Sequence, residues 1–176
     1  MSKILSYLVS ITTILGIPVA LYGYFSAQQA SRVDRTFEFY KDFRTGELQE
    51  AVNLLVDRSN TKRNDINQLL QKGDDAGLVK LQETLVQDPK SSEALVRVVV
   101  FYDALGPCVD HLLCDADAAI ALLKAPAAQI VSAYGGYLSE IQRTGSPFAR
   151  GVFTVGNMTA PSRLQLWFPW LARGAN

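Results

Sequence analysis

The chain has 176 residues and carries 17 Lys and Arg against 17 Asp and Glu, a formal net charge of zero. That balance gives no reason to expect nucleic acid as a partner, and two cysteines, Cys108 and Cys114, are too few for a disulfide framework. The length suits one soluble domain besides any membrane segment.

Between Lys3 and Arg32 no side chain is ionisable. The 28 uncharged positions from Ile4 to Ser31 would make about 42 Å of helix at ~1.5 Å per residue, against a hydrocarbon core of about 30 Å. Residues 1–31 therefore read as a single transmembrane helix, in which Ser6, Ser10, Thr12 and Thr13 can return hydrogen bonds to the preceding turn and Pro18 introduces a kink. A cleaved signal peptide is the competing reading. Phe25, Gln28 and Gln29 spoil the obvious cleavage sites, and the apolar run is long for that purpose. Small residues Thr13, Gly16, Ala20, Gly23, Ala27 and Ala30 advance by three and four alternately, forming one stripe along the helix. Such stripes let helix backbones approach closely in lipid. With no second span in sight, the stripe implies another transmembrane chain, in a homo-oligomer or a membrane complex.

Orientation follows from the flanks. Arg32, Arg35, Lys41 and Arg44 follow the span, whereas Lys3 and the amino terminus precede it, so the domain is expected on the cytoplasmic side of the membrane.

The helix should continue through Phe37, Tyr40 and Phe43 until Thr45 and Gly46 interrupt it. Leu48, Val52 and Leu55 mark a second helix ending near Asn60, by period 3.6 rather than 2. Asn64 or Asp65 can cap a short third helix, closed by Gly73 in a left-handed conformation. Leu78, Leu81, Leu85 and Val86 mark a fourth, ended by Asp88-Pro89. The apolar stretch from Ala94 to Leu113 allows a buried strand over Val96–Phe101. Ser91 or Ser92 as a cap and the stripe Tyr102, Leu105, Val109 and Leu112 favour a helix, bent at Gly106-Pro107. A last helical region, started by Asp115 or Asp117, runs from Ala118 to Arg143 with a break or kink at Pro126 and a stop at Gly145. The predicted fold is all-α: a transmembrane helix (1–31), a helical bundle (32–144) and an extended basic, aromatic tail (145–176).

No enzyme motif is present: there is no G-x-S-x-G, P-loop, G-x-G-x-x-G or H-E-x-x-H. Neither an enzymatic activity nor a cofactor is expected. Cys108-x-x-His111-x-x-Cys114 is the one constellation with metal-ligand chemistry, its members fanning over one face of a predicted helix. The interleaved Val109, Leu112 and Leu113 favour instead a core helix whose cysteines pack as small hydrophobes, and six residues apart the two thiols should not pair. The tail carries Arg163, Trp167, Phe168 and Trp170, residues suited to docking on a partner protein, the bundle or the membrane surface.

Thr36-Phe37-Glu38-Phe39-Tyr40-Lys41-Asp42-Phe43, then Glu47-Leu48-Gln49-Glu50-Ala51, Asn53-Leu54-Leu55 and Val98-Val99-Val100-Phe101-Tyr102-Asp103-Ala104-Leu105-Gly106, resemble a family of small bacterial membrane-anchored helical proteins of unknown function. The likeness spans roughly residues 33–143 and consists of packing patterns. It implies a membrane helix, a helical bundle and a bacterial origin, hence a location in the bacterial inner membrane, and lends no activity. The expected role is a non-enzymatic accessory or scaffold subunit docked on a membrane partner. The alternative is a membrane-tethered sensor or effector, in stress or phage defence, whose bundle binds a ligand or a soluble protein.

Overall fold

The computed structural model describes the backbone of residues 2–159 and the side chains of residues 16–159. Among these residues the protein is all-α, with seven helices: α1 Ser2–Arg44, α2 Glu47–Thr61, α3 Arg63–Lys72, α4 Asp75–Val86, α5 Pro89–Asp110, α6 Ala116–Arg143 and α7 Arg150–Asn157. The periodic apolar stripes of the sequence become the inward faces of these helices. Leu55, Val98, Val99, Leu105, Leu123, Ile130 and Leu138 are sealed from solvent and meet in one core.

Short polar signals set the boundaries. Asp74 caps α4 through the Gly77 amide, and Asp88 caps α5 through the Ser91 amide with Pro89 in the first turn, where a missing N–H costs nothing. The α5 cap is thus Asp88, three residues before the expected Ser91, which is itself buried with its hydroxyl on the Asp88 carboxylate. Lys62 alone separates α2 from α3, and α3 begins without a side-chain cap at either Asn64 or Asp65. Gly73 closes α3 at φ 66°, as the sequence predicts. Pro18, Pro107 and Pro126 all lie inside continuous helices, so Pro126 does not divide α6.

α6 runs through the middle of the bundle and meets α1, α2, α4, α5 and α7. Among the described residues it is the one helix long and apolar enough to cross a membrane. Its apolar side chains have a different occupation here: Ala119, Leu123, Ala127, Ile130, Tyr134 and Leu138 form the core. Two tyrosines tie neighbouring helices together, Tyr102 donating to the Leu123 carbonyl at 3.0 Å and Tyr134 to the Leu55 carbonyl at 2.8 Å. Burial pushes the Tyr102 phenol well above its ordinary pKa, and it pushes Tyr134 up to about 12, partly offset by the Arg58 charge. Buried Gln82 of α4 accepts from the Tyr137 amide of α6 at 2.8 Å.

The expected extended tail begins too early. Residues 150–157 form α7, and its Val152 and Val155 are as buried as any core residue. The helix lies between α5 and α6 because glycines remove the bulk from both contacts. Gly106 faces the Gly151 backbone, and a Cβ on Gly151 would overlap the Tyr102 carbonyl. Gly156 similarly lies against the backbone at Ala127 and Ala128. Gly151 and Gly156 lie in the segment that the sequence presents as an extended tail, whereas Gly106 falls at the expected bend of α5.

Candidate membrane-docking surface

α1 has two halves with opposite surroundings. From Arg32 onward it belongs to the bundle: Thr36 and Phe43 are buried, and Phe39 and Phe43 meet Phe101 of α5 with ring centroids 5.8 and 5.7 Å apart. From Gly16 to Ser31 every side chain is exposed, including Ile17, Val19, Leu21, Tyr22, Tyr24 and Phe25. These apolar groups, with Gly16, Ala20, Gly23 and Ala27 on the remaining face, leave no charged side of the rod, a pattern that suits a wholly apolar environment rather than one groove.

The small-residue positions lie on this free half. Gly16, Ala20, Gly23, Ala27 and Ala30 are exposed, and among the described residues no atom lies within 4 Å of the places where a Cβ would stand on Gly16 or Gly23. Thr13 belongs to the α1 backbone, but its side chain lies outside the described set. Arg163, Trp167, Phe168 and Trp170 lie outside the described residues altogether.

The two halves meet at the turn between α5 and α6. Asp115 is the hub of this joint. Its amide donates to Thr36 Oγ1 at 2.9 Å and to the Arg32 carbonyl at 3.3 Å. One carboxylate oxygen receives the Gln29 side-chain amide at 3.0 Å, while the other caps α6 through the Ala118 amide at 2.8 Å. A residue that starts one helix therefore also holds the helix emerging from the apolar segment.

The same turn overturns the expectation for Cys108 and Cys114, which are joined in a disulfide. On a continuous helix, residues six apart stand about 9 Å apart along the axis, beyond disulfide reach. Here α5 stops at Asp110, His111 is its C-cap, and Leu112 turns left-handed at φ 57°. The amides of Leu113 and Cys114 then both donate to the Cys108 carbonyl at 2.8 Å, bringing the two Cα atoms to 5.1 Å. In this state neither sulfur is a thiolate, so the Cys108, His111 and Cys114 set does not form a ligand cluster. The missed signal was Asp115: if it caps α6, residues 111–114 must be a turn, and the cysteines flank that turn.

A cleft of 670 Å³ opens beside the α7 N-terminus, lined among others by Asp103, Asp110, His111, Phe148 and Arg150. The Asp103 carboxylate in its wall is already engaged. The Asp103 carboxylate receives the Ala149 amide at 2.8 Å and the Gly151 amide at 2.7 Å, capping α7 from another helix because Ala149, at the N-cap, has no side-chain acceptor. No protein-family model matches the chain, and no curated protein or solved structure matches it.

Proposed function

We propose that the protein is a non-enzymatic, membrane-anchored accessory or scaffold subunit, with α1 as its single span and the bundle as a platform mounted on it. The observation that carries this reading is the free half of α1, whose Ile17, Val19, Leu21, Tyr22, Tyr24 and Phe25 are exposed among the described residues. The stripe from Thr13 to Ala30 supplies a face on which a second transmembrane helix, from another copy or a larger complex, can pack. Replacing Gly16, Ala20 and Gly23 with Leu should leave membrane insertion intact, since Leu is compatible with lipid, and abolish co-purification of the partner in mild detergent. Unchanged assembly of the triple variant would sink the reading.

The membrane-tethered sensor remains the second reading, favoured by the cleft beside α7. Orientation draws on two opposed features. Arg32, Arg35, Lys41 and Arg44 after the span favour a cytoplasmic bundle, the side adopted in this proposal, whereas a Cys108–Cys114 disulfide is at home in an oxidising compartment. A reporter that is active only outside the cytoplasm, fused after Asn176, should be silent, with Cys108 and Cys114 alkylated as thiols in intact cells. Reporter activity together with alkylation-resistant cysteines would reverse the assignment.

A further inference from the structure

We infer that the turn between α5 and α6 is a second membrane contact, inserting Leu112 and Leu113 into the boundary between lipid headgroups and acyl chains. The inference rests on α1 being the membrane anchor. Leu112 and Leu113 are 48% and 50% exposed, two adjacent leucines at a turn where polar residues are the rule. Their presentation is fixed. Leu112 holds a left-handed conformation and two amide bonds to the Cys108 carbonyl close the turn, restraints that remain when Cys108 and Cys114 are thiols.

The position of the turn relative to α1 supplies the occupant. Phe39 and Phe43 lie beside Phe101, whereas Arg32 and Thr36 lie beside Asp115, so α5 descends as α1 ascends and its C-terminal end is the end nearest the apolar segment. Gln29, bonded to Asp115, follows Phe25 by one helical turn, about 6 Å along the axis. Tyr22, Tyr24 and Phe25 are exposed on α1 just below that level, where aromatic side chains mark the membrane interface. The leucines therefore stand within a few ångströms of the level at which α1 leaves lipid. With Asp110, Asp115 and Asp117 around the turn, attraction to anionic headgroups is not the drive. The contact is apolar, and it gives the bundle a second foot beside its anchoring helix.

The test uses the full chain with Trp167→Phe and Trp170→Phe, which removes both native tryptophans, and one new tryptophan at a time: Phe25→Trp, Leu113→Trp or Val96→Trp. Val96 is nearly as exposed as Leu113, at 47%, but lies about 21 Å up α5 from Asp110. Each protein is placed in phosphatidylcholine vesicles with or without phosphatidylcholine brominated in its acyl chains. Quenching at Leu113→Trp should reach at least half that at Phe25→Trp, with none at Val96→Trp. Leu112→Trp, measured in the same way, should repeat the Leu113→Trp result and guards against one misfolded variant. Quenching of Phe25→Trp without either leucine variant would overturn the second contact alone, and equal quenching of Val96→Trp would overturn it in favour of a bundle lying flat on the bilayer. An unquenched Phe25→Trp would remove the anchor itself and this inference with it.

Discussion

At Gly151 the sign of a substitution reports how closely two helices meet. In an exposed helix, replacing Gly with Ala stabilises by roughly 0.5–1 kcal/mol, because the unfolded chain loses freedom. The Cβ of Gly151→Ala would overlap the Tyr102 carbonyl and come within 2.6 Å of the Asp103 Cα, atoms of a rigid backbone that cannot turn aside. We expect Gly151→Ala to lower stability by about 3 kcal/mol or more, at the upper end of overpacking costs; urea denaturation showing a gain would refute the contact. Asp103 acts on the same helix by electrostatics. Asp103→Ala leaves the first amides of α7 without their carboxylate, at a cost of about 2–3 kcal/mol. Hydrogen exchange in residues 149–153 should rise in that variant before exchange elsewhere does, and uniform protection would show that the cap is dispensable.

At the level of elements, the sequence revealed most where one local rule governed. Helices α2 to α6 follow from stripes of apolar residues, and Gly73 from its position after the α3 stripe. α7 was hidden because its glycines, ordinarily loop formers, serve a helix packed backbone against backbone. That reason exists only once α5 and α6 are adjacent. The Cys108–Cys114 pair was hidden for a related cause: a stripe that included Leu112 carried the predicted helix across a turn that Leu112 itself makes by adopting a left-handed φ. The free half of α1 was visible as an uncharged run, but the joint at Asp115, with partners 79 and 86 positions away, was not. Closing the short Cys108–Cys114 loop, a sequence separation of 6, should contribute about 2 kcal/mol. Because two amides also hold the turn, adding reductant should lower the melting temperature of the full chain by roughly 4–8 °C without unfolding it. Complete loss of the thermal transition would mean that the bond is essential to the bundle.

For the molecule as a whole, alkaline pH probes the core through its two buried tyrosines. Their folded-state pKa values are raised by burial above the ordinary 10.0, that of Tyr134 to about 12. The unfolded chain releases these protons first, so the associated stability is complete below pH 10 and is lost as pH rises from 10 through the folded values. Denaturation midpoints should be level from pH 8 to 10 and fall between pH 10 and 12. A midpoint unchanged up to pH 12 would contradict the burial of both phenols.

The placement of α7 also dictates an order of events during synthesis. α7 leaves the ribosome after α1 to α6, yet it fills the crevice between α5 and α6, held by bonds spanning 46 and 48 positions. Until α7 is released, Val98, Leu105 and Ile130 belong to an unfinished bundle, so the core closes only after residues 150–157 have been translated. A stop before Arg150 would consequently leave a partly open intermediate with its apolar crevice uncovered, a natural target for chaperones and proteases.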